Sequence, residues 1–269
     1  MTIHTDRPDD HPHVAIVTID RPARANSLDL PTIRALAAAW RALAADEAIR
    51  CVVLTGAGER VFCSGMDMQT TIPIAQRFAR GERIANDDFE GLRDVSTALL
   101  VEFDLGKPLI CAVNGHARAG GCDLMLASEL RYAVPQATFA LEEVARGLYP
   151  TGHATVALPR QIAWVHAHEL LLTAQPVDAE RAAAIGLVNA IVEPDALMST
   201  ALRTADTIAA NAPLAVRATR AGVRELLALP LDEAYRRQEA LGRPLRGTED
   251  AREAQRAFVE KRRPAWKSK

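Results

Sequence analysis

Asn114-Gly115-His116-Ala117-Arg118-Ala119-Gly120-Gly121-Cys122-Asp123-Leu124 follows directly on the apolar run Leu109-Ile110-Cys111-Ala112-Val113. Five apolar residues stopped by Asn-Gly read as a buried strand and a turn. The small residues from Ala117 to Cys122 then open a helix. At such a helix start the first backbone N–H groups have no intrahelical partner, and adjacent glycines let a ligand come close to them. A glycine pair alone is also what tight helix–strand packing requires, so the segment needs support from elsewhere in the chain.

Working outward, the alternation of strand and helix recurs. Val14-Ala15-Ile16-Val17-Thr18-Ile19 is too short and too β-branched for a helix, and Asp20-Arg21-Pro22 ends it. From Pro31, the apolar residues Ile33, Leu36, Ala37, Trp40, Leu43 and Ala44 keep helical spacing to about Asp46. Cys51-Val52-Val53-Leu54 is the next strand. Gln69 to Glu90 reads as an irregular loop with one short helix, and Phe89 to Phe103 as a single helix. Beyond the central segment come two short strands, Leu130–Val134 and Thr138–Leu141. After Ile191-Val192-Glu193-Pro194 only helical patterns remain, over Asp195–Asn211, Leu214–Leu229 and a stretch after Pro230. The expectation is an α/β protein, with a core over 1–193 that carries the site and a helical region over 194–269 that covers or assembles.

Composition narrows the function. The chain has 269 residues, 49% hydrophobic and 25% charged, which fits a packed globular protein rather than a disordered one. Lys plus Arg number 32 against 34 acids, a net charge of -2 that offers no general field to nucleic acid or to an anionic membrane. No apolar run reaches the ~18 residues of a membrane span, and the charged N-terminus lacks a signal-peptide core, so a cytoplasmic location is expected. Cys51, Cys63, Cys111 and Cys122 have no CxxC spacing and sit among apolar or small residues. They read as buried thiols, with no metal site and no disulfide framework.

Three local features carry chemistry. Gly65, Met66 and Asp67 form a second glycine turn. The N–H groups of Met66 and Gly120, from two separate turns, would make an oxyanion hole for a thioester or ester carbonyl. Near these turns lie the acids Asp123, Glu142 and Glu143. Asp123 could simply complement the helix dipole and Glu143 could be a solvated cap, but two acids flanking one polarised carbonyl suit proton transfer at the adjacent carbon. The chain has no GxSxG, GxxxxGK[ST] or HExxH motif, and His116, His153, His166 and His168 are scattered.

At these residues the sequence resembles the crotonase superfamily, the enoyl-CoA hydratase/isomerase family. The likeness spans nearly the whole chain. It includes Ile19-Asp20-Arg21-Pro22 with Arg24, Asn26, Ser27 and Leu28, then Phe62 to Met68, then Asn114 to Leu124. It continues through Phe139 to Glu143 with Gly147, Leu148 and Pro150, and through Leu172 to Asn189. It ends on Glu249-Asp250, Glu253, Phe258 and Lys261-Arg262. The resemblance implies a crotonase-like ββα spiral core with a C-terminal helical oligomerisation region, assembled as a homotrimer or a dimer of trimers.

By the same resemblance, Met66 and Gly120 would hold the thioester oxygen, and Glu143 and Asp123 would be the catalytic acids. CoA and acyl contacts would come from Arg24, Cys63, Ser64, Gly65, Met68, Gly121, Leu148, Phe258 and Lys261. CoA would arrive as the thioester substrate, with no separate cofactor and no metal. The expected reaction is hydration of a 2-enoyl-CoA to a 3-hydroxyacyl-CoA; the alternatives are an isomerase using Glu143 alone and a non-catalytic CoA-binding member.

Two positions depart from the family pattern. Its hydratases have glutamate where Asp123 stands, and the missing methylene retracts the carboxylate by about 1.5 Å. Its dienoyl isomerases have aspartate there but also a second aspartate where this chain has Thr151. His153 replaces a small residue of a glycine-rich turn, where it would pack on a neighbour or reach the acyl pocket. The segment Gln69–Glu90, with Leu148 and Tyr149, is expected to shape that pocket.

Overall fold

The structure, a computed structural model, describes residues 2–269. Along the chain, β1 (Ile3–Asp6) and β2 (Val14–Ile19) precede α1 (Leu30–Ala45), followed by β3 (Cys51–Gly56) and β4 (Val61–Cys63). Next come α2 (Thr71–Ala79), α3 (Asn86–Arg93) and α4 (Val95–Ala98), then β5 (Leu109–Val113), β6 (His116–Arg118) and α5 (Gly120–Ala127). The third round is β7 (Leu130–Ala133), β8 (Thr138–Ala140), α6 (Leu158–Gln161) and α7 (Trp164–Thr173). After β9 (Val177–Asp178), α8 (Ala179–Ala184) and β10 (Ala190–Ile191) the chain is helical: α9 (Leu197–Ala209), α10 (Pro213–Leu226), α11 (Leu231–Gly242) and α12 (Glu249–Glu260).

Each round sends one strand to each of two sheets. The larger sheet has the order β1-β2-β3-β5-β7-β10 and the smaller β4-β6-β8-β9. All pairings are parallel except β1 with β2 and β8 with β9. Every residue of β3 and β5 is buried, which is why both read as continuous apolar runs rather than alternating ones. This is the ββα spiral expected from the sequence.

Helix α5 is buried along its whole length. Its close seat depends on Gly121, where a methyl group would lie 2.1 Å from the Cys63 carbonyl oxygen. The second glycine of the pair therefore serves packing, and the first is left for the site.

The structure corrects several boundaries. β1 was not expected, because only Ile3 of its four residues is buried and an edge strand carries little apolar signal. β6 stands where the sequence leads one to expect the approach to a helix; His116 and Arg118 are half-buried and only Ala117 is buried, so no apolar run marks it. The segment 69–90 holds two helices, not one. The expected helix Phe89–Phe103 breaks at Asp94, and α4 stops where the Trp40 indole N–H takes the Ala98 carbonyl at 2.9 Å and Leu100 turns to φ 57°. α9 falls on the C-terminal side of the expected division at 193/194. It lies across β2, β3, β5 and β7 and buries Leu197 and, at i,i+4 spacing, the small residues Ala201, Ala205 and Ala209, which let it sit close to the sheet.

Among the described residues, no helix is long and apolar enough to cross a membrane.

Candidate active site

A cavity of about 360 Å³ opens where the two glycine turns meet. Gly65 is at φ 83°, and a methyl group there would lie 2.9 Å from the Gly120 nitrogen. One on Gly120 would lie 3.7 Å from the Met66 nitrogen, so the two turns are in direct contact. Leu28 N–H donates to the Gly65 carbonyl and Asp67 N–H to the Leu28 carbonyl, which leaves the intervening Met66 N–H without an acceptor among the described residues. The N–H of Gly120, the first residue of α5, is likewise without an acceptor among the described residues. Between the turns Ala119 adopts φ 46°, ψ -119°, a region that non-glycine residues rarely occupy. Strain of this kind costs on the order of 1–3 kcal/mol and persists where the surroundings enforce it, as at ligand-binding turns.

The loop after β4 is stiffened by Asp67. Its carboxylate accepts from Gln69 N–H at 2.9 Å, Thr70 N–H at 3.2 Å and the Ser27 hydroxyl at 3.1 Å, and Arg21 stands 3.5 Å away. These bonds outweigh the burial that opposes ionisation, and the Asp67 pKa falls below the ordinary carboxylate value.

Two further carboxylates reach the cavity. Asp123, in the first turn of α5, is buried, and its Oδ1 accepts from His153 N–H at 2.8 Å and Ala154 N–H at 3.0 Å. Among the described residues, its Oδ2 accepts no hydrogen bond. Burial pushes the Asp123 pKa up to about 7; the two N–H donors oppose the shift, and the Glu143 charge adds to it. Glu143 lies between β8 and a 3-10 turn over Val144–Arg146. Its Oε2 is buried with no partner, an unusual state for a native carboxylate outside a functional site. Burial raises its pKa too, against its own backbone N–H and the Arg146 charge.

The rest of the wall is Ser64, Met68, Ile72, Val95, Leu99, Ala119, Glu142, Arg146, Leu148, Tyr149 and Thr151. Of the residues expected from the sequence, the structure therefore gathers Ser64, Met66, Met68, Gly120, Asp123, Glu143 and Leu148. It does not bring the others to the wall. Cys63 is wholly buried, with its thiol pKa pushed up to about 12, so any contact it makes would be through its backbone. Gly65 and Gly121 shape the turns from behind. Arg24 is exposed and hydrogen-bonds the Gln69 side chain at 3.0 Å, next to Met68. Phe258 is 85% exposed on α12, and Lys261 ends that helix at φ 53°, neither lining the cavity within this chain.

Val95, Leu99, Arg146 and Thr151 were not foreseen as lining residues. Leu99 arrives through the break in the expected helix, which no local pattern signals. Tyr149 and Ile72 fall in segments that the sequence did point to.

Two free N–H donors beside two carboxylates of raised pKa, in a largely apolar cavity, can stabilise an oxyanion while moving a proton at the neighbouring carbon. A mixed α/β spiral with this site defines an enzyme of the crotonase superfamily. The comparisons agree: a family model described as Enoyl-CoA hydratase/isomerase matches residues 9–269. The chain is 37% identical to Enoyl-CoA hydratase EchA19 of Mycobacterium tuberculosis, covering 96% of this chain and 94% of that protein. It is 39% identical to (E)-benzylidenesuccinyl-CoA hydratase of Thauera aromatica, covering 95% and 96%. Among solved structures, an enoyl-CoA hydratase of Bacillus anthracis superposes with TM-score 0.89 at 30% identity over the full length of both chains. EchA1 of Mycobacterium marinum gives 0.85 at 38% identity, over 100% of this chain and 99% of that one. The chain belongs to the enoyl-CoA hydratase/isomerase family and is a hydratase or isomerase acting on acyl-CoA thioesters.

Proposed function

We propose that the protein adds water across the double bond of a 2-enoyl-CoA, giving a 3-hydroxyacyl-CoA. The observation that carries this reading is that Asp123 and Glu143 line one cavity, each with a carboxylate oxygen left unpartnered, beside the free N–H groups of Met66 and Gly120. The thioester oxygen accepts from Met66 N–H and Gly120 N–H. Asp123, a base poised near neutrality, takes a proton from water through Oδ2 as the water oxygen bonds to C3. The C2=C3 electron pair moves toward the thioester, whose oxygen carries the charge of the enolate. Glu143 then gives its proton to C2, and the proton gained by Asp123 passes back through solvent exchange, so that one water is added and both acids are reset.

Hydratases among the relatives support this direction. Leu148, Met68 and Tyr149 would contact the acyl chain, and Arg24, Ser64 and the backbone at Cys63 the CoA moiety. For assembly, the exposed Val223, Leu227, Leu231 and Tyr235 on and between α10 and α11 support a homotrimer or a dimer of trimers. Phe258 and Lys261 would then meet CoA bound to a neighbouring subunit.

Incubation with a series of 2-enoyl-CoAs tests the reading. Loss of the enoyl-thioester ultraviolet absorbance with at least one of them is expected. If none loses it while a 3-enoyl-CoA gains it, the protein is an isomerase using Glu143 alone. If neither occurs but CoA esters bind, it is a binding member.

A further inference from the structure

His153 joins three elements through one residue. Its backbone N–H donates to Asp123 Oδ1 at 2.8 Å, on α5. Its carbonyl accepts from Ala157 N–H at 2.7 Å and Leu158 N–H at 3.3 Å, at the start of α6. Its ring Nε2 lies 3.0 Å from the Leu99 carbonyl, at the end of α4. A carbonyl only accepts, so the ring proton is on Nε2. Burial pushes the imidazole pKa down, which favours this neutral donor form.

The turn so fixed is pressed against the carboxylate. Gly152 is at φ 74°, and a methyl group on it would lie 2.7 Å from Asp123 Cγ and Oδ2 and 2.9 Å from Oδ1. The aspartate side chain is short, and the turn comes to it. Apart from Asp123 itself, the His153 ring ties this turn to Leu99, a residue that also lines the cavity, and the residue after the turn, Thr155, accepts from the Tyr149 hydroxyl at 3.2 Å.

We propose that His153 is a positioning residue for water addition: its ring braces the Thr151–Ala154 turn against Leu99, and the braced turn holds Asp123 at the distance from which it engages water. This rests on the hydratase reading above. The ring touches no reacting atom. Its contribution is to keep Asp123 Oδ2 in place, where a misplacement on the order of 1 Å can cost about a hundredfold. Proton transfer at C2 by Glu143 does not depend on it, since Glu143 is carried by the turn after β8.

The test compares His153→Ala, His153→Asn and His153→Gln. Glutamine places its amide nitrogen where Nε2 stands, whereas the asparagine amide falls short of Leu99. Each variant is assayed for kcat and KM of enoyl-CoA hydration and for deuterium exchange at C2 of a saturated acyl-CoA. His153→Ala and His153→Asn should lower the hydration kcat about 10- to 100-fold, with KM and the exchange rate within about twofold of the unsubstituted enzyme. His153→Gln should recover hydration to within about threefold. Hydration in both Ala and Asn variants within twofold of the parent would overturn the proposal, as would equal losses of hydration and exchange or no rescue by Gln. If only one of the Ala and Asn variants folds, it decides. If the parent enzyme itself hydrates no enoyl-CoA, the hydratase reading fails and this inference with it.

Discussion

Asp123 and Glu143 line the same cavity and are held in opposite ways. Asp123 stands on a helix buried over its whole length and receives two backbone N–H bonds on one oxygen. Glu143 stands on a 3-10 turn, and its buried Oε2 receives none. Both carboxyls are harder to ionise than in water, for the common reason of burial. The difference lies in the other oxygen: each acid keeps one oxygen without a partner, but Asp123 is fixed through Oδ1 by two backbone N–H groups, whereas no neighbouring residue holds the Glu143 carboxyl in the same way. On the proposed hydratase reading, that contrast would divide the work, with Asp123 engaging water and Glu143 exchanging the proton at C2.

Removing the Glu143 carboxylate should have the largest effect. Glu143→Gln is expected to lower kcat by about 10³- to 10⁴-fold while CoA-ester binding stays within a few-fold, measured by steady-state kinetics and calorimetric titration. A loss under tenfold would mean that Glu143 is not the proton carrier.

Disturbing the hold on Asp123 indirectly comes next. Gly152→Ala places a methyl group against the Asp123 carboxyl at a backbone angle that L-residues resist. It should lower hydration about 10- to 100-fold and destabilise the fold by about 1–2 kcal/mol in denaturant unfolding. Wild-type hydration in this variant would show that the turn does not fix Asp123.

The smallest effect is on stability and runs the other way. Because the folded pKa of Asp123 lies near 7, above the usual 3.8, the native state holds a proton that the unfolded chain has lost between those values. Ionising Asp123 therefore costs stability as pH rises from about 4 to about 7. Asp123→Asn removes that cost while keeping an acceptor for His153 and Ala154 N–H. It should match the parent near pH 4 and exceed it by roughly 1–3 kcal/mol at pH 8, in denaturant unfolding at the two pH values. Equal differences at both would show that Asp123 ionises as in water.

Much of this was legible in the chain. β3 and β5 are buried on both faces, so Cys51–Leu54 and Leu109–Val113 announce themselves as apolar runs. Gly65 and Gly121 stand out because one needs a positive φ and the other leaves no room for a side chain. Three-residue β6 was not legible, since its half-exposed His116 and Arg118 give no apolar pattern. Nor was the hold on Asp123: the His153 ring contacts Leu99, 54 residues away, and the break that delivers Leu99 is set by Trp40 on α1. Sequence spacing exposes residues that need a local conformation. It does not expose those whose role is fixed by a distant carbonyl.

The division of labour is tested most directly by Asp123→Asn, followed in deuterated water for hydration of an enoyl-CoA and for deuterium exchange at C2 of a saturated acyl-CoA. Hydration should fall at least about 100-fold while Glu143-dependent exchange stays within about threefold. Parallel loss of both, or hydration that persists, would contradict it.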